Sequence, residues 1–160
     1  HTTGDTLATQ NPAYYTAFAK ASVATAAHLA LPAALPTRFE PVTPCRVVDT
    51  RSDQLPPGLG VPVLAAQESR TFVVPGACGI PADAVALAVN VTAVTPEAAG
   101  SLTLWPGSGP VPTAGNVSFA AGKTRAAFSI LSLDGSGSFT AKNGSAGAVH
   151  LLVDVSGVLR

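Results

Sequence analysis

From Phe39 to its C-terminus the chain alternates apolar and polar side chains with a period of two, and Gly and Pro interrupt that alternation at short intervals. Such a period places successive side chains on opposite faces, which suits extended strands with one face buried. The alternation predicts strands at Cys45–Thr50, Arg70–Val74, Ala84–Val94, Gly100–Trp105, Asn116–Ala120, Thr124–Leu131, Gly137–Ala141 and Val149–Val155. In Ala84–Val94 the apolar face is Val85, Leu87, Val89 and Val91, and the other carries Ala86, Ala88, Asn90 and Thr92. In the last strand Val149, Leu151, Val153 and Val155 alternate with His150, Leu152, Asp154 and Ser156. Turn chemistry lies between the strands, at Pro56-Pro57-Gly58, Pro106-Gly107-Ser108-Gly109, Asp134-Gly135-Ser136-Gly137 and Asn143-Gly144. About eight short strands so spaced predict an all-β domain, a β-sandwich or jelly roll.

The chain reads differently before Pro36. Asn11-Pro12 is a helix start, with Asn as cap and Pro at the first helical position. Tyr14, Phe18, Ala21, Thr25 and Leu29 then recur at helical spacing until Pro32, which predicts an amphipathic helix over residues 13–30. Residues 1–10 are polar and Thr-rich, suited to an added strand or a loose tail. The expected organisation is an arm, residues 1–38, followed by a β-sandwich domain, residues 39–160. The most apolar stretch of the arm, Ala17–Leu35, is interrupted by Lys20, His28 and Pro32. It falls short of the roughly twenty apolar residues that span a bilayer, so no membrane insertion is expected.

Nine basic and nine acidic residues cancel, which leaves no electrostatic footprint for nucleic acid. Cys45 and Cys78 are the only cysteines, each in a constrained segment at the edge of β-patterned sequence, and one structural disulfide is the economical reading. A disulfide implies an oxidising compartment, and a start at His1 with no Met anywhere suggests processing after a signal peptide. The expected location is therefore extracellular or at the cell surface.

Four ordered segments carry a resemblance. They are Phe39-Glu40-Pro41-Val42-Thr43-Pro44-Cys45-Arg46-Val47-Val48-Asp49-Thr50-Arg51, Ala86 to Val94 with its Asn90-Val91-Thr92, Gly100 to Pro106, and Val149 to Gly157 with its Asp154-Val155-Ser156-Gly157. Over residues 39–158 the chain resembles a β-rich module of secreted bacterial proteins, notably of actinobacteria and acidobacteria, found alone, in tandem or beside cell-wall and polysaccharide hydrolases. The resemblance implies an extracellular accessory or surface module and brings no catalytic role with it. The family ends in an aromatic after the final Gly, where this chain has Val158-Leu159-Arg160.

Several residues invite a chemical reading. Asp49 and Arg51 are expected on one strand face with Cys45 and Val47, where they read as an internal ion pair rather than a ligand clamp. Asn90, Thr92 and Asp154 read as strand-end polar groups, because no Asp-rich loop accompanies them for calcium. His150 and Asp154 stand four residues apart on one strand, about 13 Å, and no Gly-x-Ser-x-Gly elbow accompanies them, so a hydrolytic triad is disfavoured. An N-terminal His1 could hold copper through its amine and imidazole, as in copper-dependent polysaccharide monooxygenases, but only His28 or His150 could complete the site. No metal or other cofactor is expected. The Asn-x-Ser/Thr patterns at Asn90, Asn116 and Asn143 read as strand chemistry in a bacterial chain. Trp105, before Pro106-Gly107, is the candidate glycan contact, whereas the Phe residues of the domain are mostly expected in the core.

The expected function is a non-enzymatic extracellular structural protein, a filament or surface subunit whose partner is another copy of itself. Its arm, through Thr2, Thr3, Leu7, Tyr14, Tyr15 and Phe18, would dock on a neighbouring subunit. The alternative is a secreted carbohydrate- or cell-wall-binding module, with a copper-dependent monooxygenase as a minor third.

Overall fold

The structure, a computed structural model, describes residues 37–107 and 109–160. The expected helix at 13–30, the arm residues Thr2, Thr3, Leu7, Tyr14, Tyr15 and Phe18, and His1 and His28 lie outside the described residues. Eight strands follow one another: β1 (Phe39–Asp49), β2 (Ser69–Val73), β3 (Ala86–Val94), β4 (Gly100–Pro106), β5 (Val117–Phe119), β6 (Arg125–Ser132), β7 (Ser138–Asn143) and β8 (His150–Leu159). They form two four-stranded antiparallel sheets, ordered β1-β8-β3-β6 and β2-β7-β4-β5. β1 pairs with β8, β2 with β7, β3 with β6 and β4 with β5, so the chain is one long antiparallel hairpin rolled on itself. That is the jelly roll expected from the alternation. Among the described residues no helix is long and apolar enough to cross a membrane.

The inner faces meet in one core. Leu87, Val89, Leu151 and Val153 of the first sheet pack with Phe72, Leu102, Phe139 and Ala141 of the second. Phe72 and Phe139 stack with ring centroids 5.3 Å apart. Burying each large apolar side chain contributes roughly 1.5–3 kcal/mol, so these strand phases are strongly specified.

β1 and β8 run several residues longer than the alternation predicts. β1 begins at Phe39 rather than Cys45, because Phe39–Pro41 pair with Leu159–Gly157 despite Pro41 and Pro44. Proline lacks a donor, but an edge strand needs no donor on its free side. Val85 is a correction: it was expected on the buried face yet is 50% exposed. It stands one residue ahead of β3 at the sheet's rim, where its N–H donates to Leu159 O and its carbonyl accepts from Leu133 N.

Cys45 and Cys78 form the expected disulfide, with Cα atoms 5.8 Å apart. Cys45 lies on edge strand β1, and Cys78 lies in a single 3₁₀ turn, Ala77–Gly79, between β2 and β3. Cys78 holds a left-handed backbone at φ 53°, flanked by Gly76 at 84° and Gly79 at 71°. A side-chain-bearing residue there carries strain on the order of 1–3 kcal/mol that surrounding structure must hold in place. The bridge spans 33 residues of chain. Its loss removes about 3–4 kcal/mol on the loop-entropy account. The Cys45→Ser/Cys78→Ser double variant is therefore expected to melt about 10 °C or more below the parent in a thermal scan. Equal melting temperatures would show that the bridge contributes nothing to stability.

Candidate functional site

The outer face of the first sheet concentrates the unusual chemistry. It is built on an irregularity in β1, where Arg46 pairs with Asp154 but Val48 already pairs with Val153. Val47 is therefore an extra, bulged residue, and both Val47 and Val48 turn into the core. In a regular strand, residues three apart lie on opposite faces. The bulge instead brings Arg46 and Asp49 onto one face, with Arg46 Nη1 3.4 Å from Asp49 Oδ2. This corrects the expectation that Asp49 shares a face with Val47.

Arg46 also grips Asp154 with two bonds, Nε to Oδ1 at 2.7 Å and Nη2 to Oδ2 at 3.1 Å. Arg51 grips Asp49 in the same way, at 2.9 and 2.8 Å, and adds its backbone N–H at 3.0 Å. The result is a chain of four charges, Arg51–Asp49–Arg46–Asp154, with both carboxylates doubly bonded. Asp49 is the buried member; the Arg51 hydrogen bond leads the causes that hold its carboxyl down at about 2 despite burial. Asp154 likewise raises Arg46. Arg46 escaped the period-two reading because the bulge that recruits it is invisible to alternation.

The other expected site residues separate. Asn90 is exposed beside Asp154 in the ladder and takes no part in the ion-pair cluster among the described residues. Trp105, the candidate glycan contact, is a correction: it is only 6% exposed. Its Nε1 donates to Gly109 O at 2.8 Å, so the loop after β4 covers the ring and leaves no face for a sugar. His150 shares a face of β8 with Asp154 but stands four residues away, and its Nδ1 lies 3.2 Å from Thr50 Oγ1. Asn143 is fully buried, and its Nδ2 donates to Leu64, Ala65 and Gly147 carbonyls. Among the described residues no cluster of three His, Cys, Asp or Glu can hold a metal. A cavity of about 170 Å³ between β1 and β2 is lined by residues that include Ser52, Leu55, Pro57 and Val61, with Asp53 its one carboxylate.

β6 is what alternation misplaces. Its sequence, Arg-Ala-Ala-Phe-Ser-Ile-Leu-Ser, has Phe128 and Ile130 flanking Ser129, so hydrophobicity alone would turn the two large residues inward. The structure does the reverse: Phe128 is 66% and Ile130 55% exposed. Leu131 fixes this phase by packing in the core opposite Leu87, and Ser129 Oγ meets Asn116 Nδ2 at 3.5 Å. The exposed pair continues two rows across the sheet. One runs Arg46–Asp154–Asn90–Phe128 and the other Pro41–Gly157–Ala88–Ile130. Neither family models, curated proteins nor solved structures match this chain. The site must therefore be read from its own geometry.

That geometry distinguishes the four sheet edges. Unprotected edges invite pairing with another chain, and proteins blunt them with proline, bulges, charge or brevity. β1 carries Pro41 and Pro44 and two breaks in register. β2 is five residues long and β5 three. β6 runs eight residues, pairs among the described residues only with β3 and without any register shift, has no proline, and holds one charge, Arg125, at its start. Among the described residues it is the one edge with none of these protections beyond that terminal charge.

The charge chain generates a pH prediction. Asp49's folded value of about 2 lies below its ordinary value of 3.8. Its stabilisation is therefore complete above about pH 4 and is lost as pH falls toward 2, amounting to about 2 kcal/mol. Asp134, held at about 2 chiefly by the Ser138 N–H and the Ser136 hydroxyl, titrates in the same window. The difference between parent and Asp49→Asn isolates Asp49. Urea midpoints are expected to differ at pH 6 and to converge by pH 2. A constant offset across that range would mean that Asp49's charge is not what the site depends on.

Proposed function

We propose that this chain is a non-enzymatic extracellular structural protein that assembles with copies of itself, its N-terminal arm docking on a neighbouring subunit. The observation that carries the reading is the β6 edge: eight residues, unbroken, flanked by exposed Phe128 and Ile130, in a strand whose own pattern would have buried them. Packing of Leu131 and Leu133 within the monomer turns the pair outward and leaves two large apolar side chains in solvent on a sheet edge. A partner that covers Phe128 and Ile130 restores the burial that the monomer gives up.

Four further features support it. The formal charge is zero, so copies meet without long-range repulsion. The disulfide and doubly bonded ion pairs suit a durable fold outside the cell. The resemblance of residues 39–158 to secreted surface modules, carried by the motifs alone, points to the same location. The Thr-rich start of the arm suits strand addition to a neighbour, a heterologous contact that propagates into an open polymer.

Electron microscopy of the full chain beside a chain lacking residues 1–35 tests the reading. Filaments or sheets are expected from the full chain and their loss from the truncated one. Polymers that persist without the arm would remove the arm from assembly, and dispersed particles from both would end the structural reading.

One observation favours the glycan-binding alternative. Phe128 closes a row with Asn90, Asp154 and Arg46, an exposed ring beside polar groups that could meet sugar hydroxyls. On that reading, binding to a cell-wall polysaccharide column weakens at least tenfold in Phe128→Ala, and the truncated chain binds as well as the full one. No retention of the parent would dismiss it.

A further inference from the structure

We propose that β6 of one copy pairs with β6 of a second copy, antiparallel about a two-fold axis at Ser129, so that Phe128 of each lies opposite Ile130 of the other. The inference rests on reading β6 as an assembly edge; it fixes the occupant of that edge and does not involve the arm.

The strand is self-complementary in this register. With Ser129 opposite its own counterpart, Phe128 meets Ile130, Ala127 meets Leu131, Ala126 meets Ser132 and Arg125 meets Leu133, each contact occurring twice by symmetry. The phase already established in the monomer puts Phe128 and Ile130 on the outer face and Ala127, Ser129 and Leu131 on the inner face, so like faces join. Aromatic and β-branched residues directly opposite one another are favourable cross-strand partners, each pair contributing a fraction of a kcal/mol beyond burial. Sliding the axis by one residue to either side would instead set Phe128 against Phe128 or Ile130 against Ile130, leaving the other large side chain opposite Ala126 or Ser132.

Charge agrees with the same register. Lys123 precedes the strand, Arg125 opens it and Asp134 follows it. Antiparallel pairing about Ser129 sets Arg125 beside Leu133 and Asp134 of the other copy, and Lys123 opposite Gly135, so the basic start of each strand meets the acidic end of its partner. The two Arg125 residues lie at opposite ends of the ladder, about 27 Å apart at 3.4 Å per residue. Nothing in β6 blocks the approach: there is no proline, no bulge and no inward-pointing charge. One pair of eight-residue strands lies at the small end of stable interfaces, which predicts a reversible dimer with Kd on the order of micromolar rather than an obligate one.

Two single-cysteine variants of the full chain read the register directly. Ser129→Cys places a thiol against its own counterpart, whereas Ser132→Cys places the two thiols about 20 Å apart. Under oxidising conditions Ser129→Cys is expected to convert most of the protein to a covalent dimer on non-reducing gels, and Ser132→Cys to stay unlinked. Adding Phe128→Lys and Ile130→Lys to Ser129→Cys is expected to reduce that dimer at least fivefold. Both positions are exposed, and a melting temperature kept within a few degrees shows that the fold survives. Equal linking of the two cysteine variants, linking of neither, or linking untouched by the lysines overturns the inference, including the case in which the arm or a glycan occupies β6. Filaments without Ser129 linkage would leave the structural reading standing and remove this one, and Ser129 linkage without filaments would do the opposite.

Discussion

The burial of Leu131 opposite Leu87 sets the phase of β6, and the exposed chemistry of the first sheet depends on it. A strand has only two phases, and the wrong one turns its whole inner set outward. Choosing the phase that buries Leu131 commits Ala127 and Ser129 to the inside and Phe128 and Ile130 to solvent. On apolar area alone the opposite phase is competitive, since it would bury a Phe and an Ile and expose one Leu. The realised phase wins through its neighbours: Leu133 closes the core beyond β6, its N–H donates to Val85 O, and Ser129 meets Asn116, the residue just before β5. The outward pair is thus a consequence of how the end of the strand is anchored.

A second irregularity does comparable work at the opposite edge. The bulge at Val47 adds a core residue on one face and aligns Arg46 with Asp49 on the other. The ion-pair chain that results binds β1 to β8 through Arg46 and Asp154, and the loop after β1 to the strand through Arg51 and Asp49. The guanidinium groups are partly exposed, so their screened attraction is modest. The bidentate geometry around buried Asp49 matters more, because an unpaired carboxylate there would be costly. Together with the disulfide at Cys45, these contacts hold the edge strand whose prolines leave its ladder incomplete.

Much of this fold is legible in the sequence. Each of the eight strands overlaps the segment that alternation and turn residues assign to it, although β1 starts earlier and β8 ends later. The disulfide was accessible by counting, since two cysteines admit one pairing. What local pattern cannot carry is any contact between distant segments. The order β1-β8-β3-β6 and the bulge at Val47 belong to this class, as do the loop that covers Trp105 and the anchoring of β6. Period two misreads Arg46 for the reason it misreads Phe128: in both, tertiary packing shifts or selects the phase. The one local hint is the conflict within β6, where a serine sits between Phe and Ile on what proves to be the inner face.

The two edges of the first sheet can be read as opposite solutions to the same problem. β1 is broken by proline and a bulge and weighted with Glu40, Arg46 and Asp49, so its backbone offers no continuous template for another chain. β6 offers such a template along its whole length and places its largest apolar side chains beside it. A neutral protein has little net repulsion to keep copies apart, so in the proposed assembly edge geometry would weigh heavily in which surfaces meet. In the proposed assembly, one guarded and one open edge on a single sheet would direct association to one side and stop it there when the contact is two-fold. Growth beyond a pair would then need a second, heterologous contact, the part proposed for the N-terminal arm.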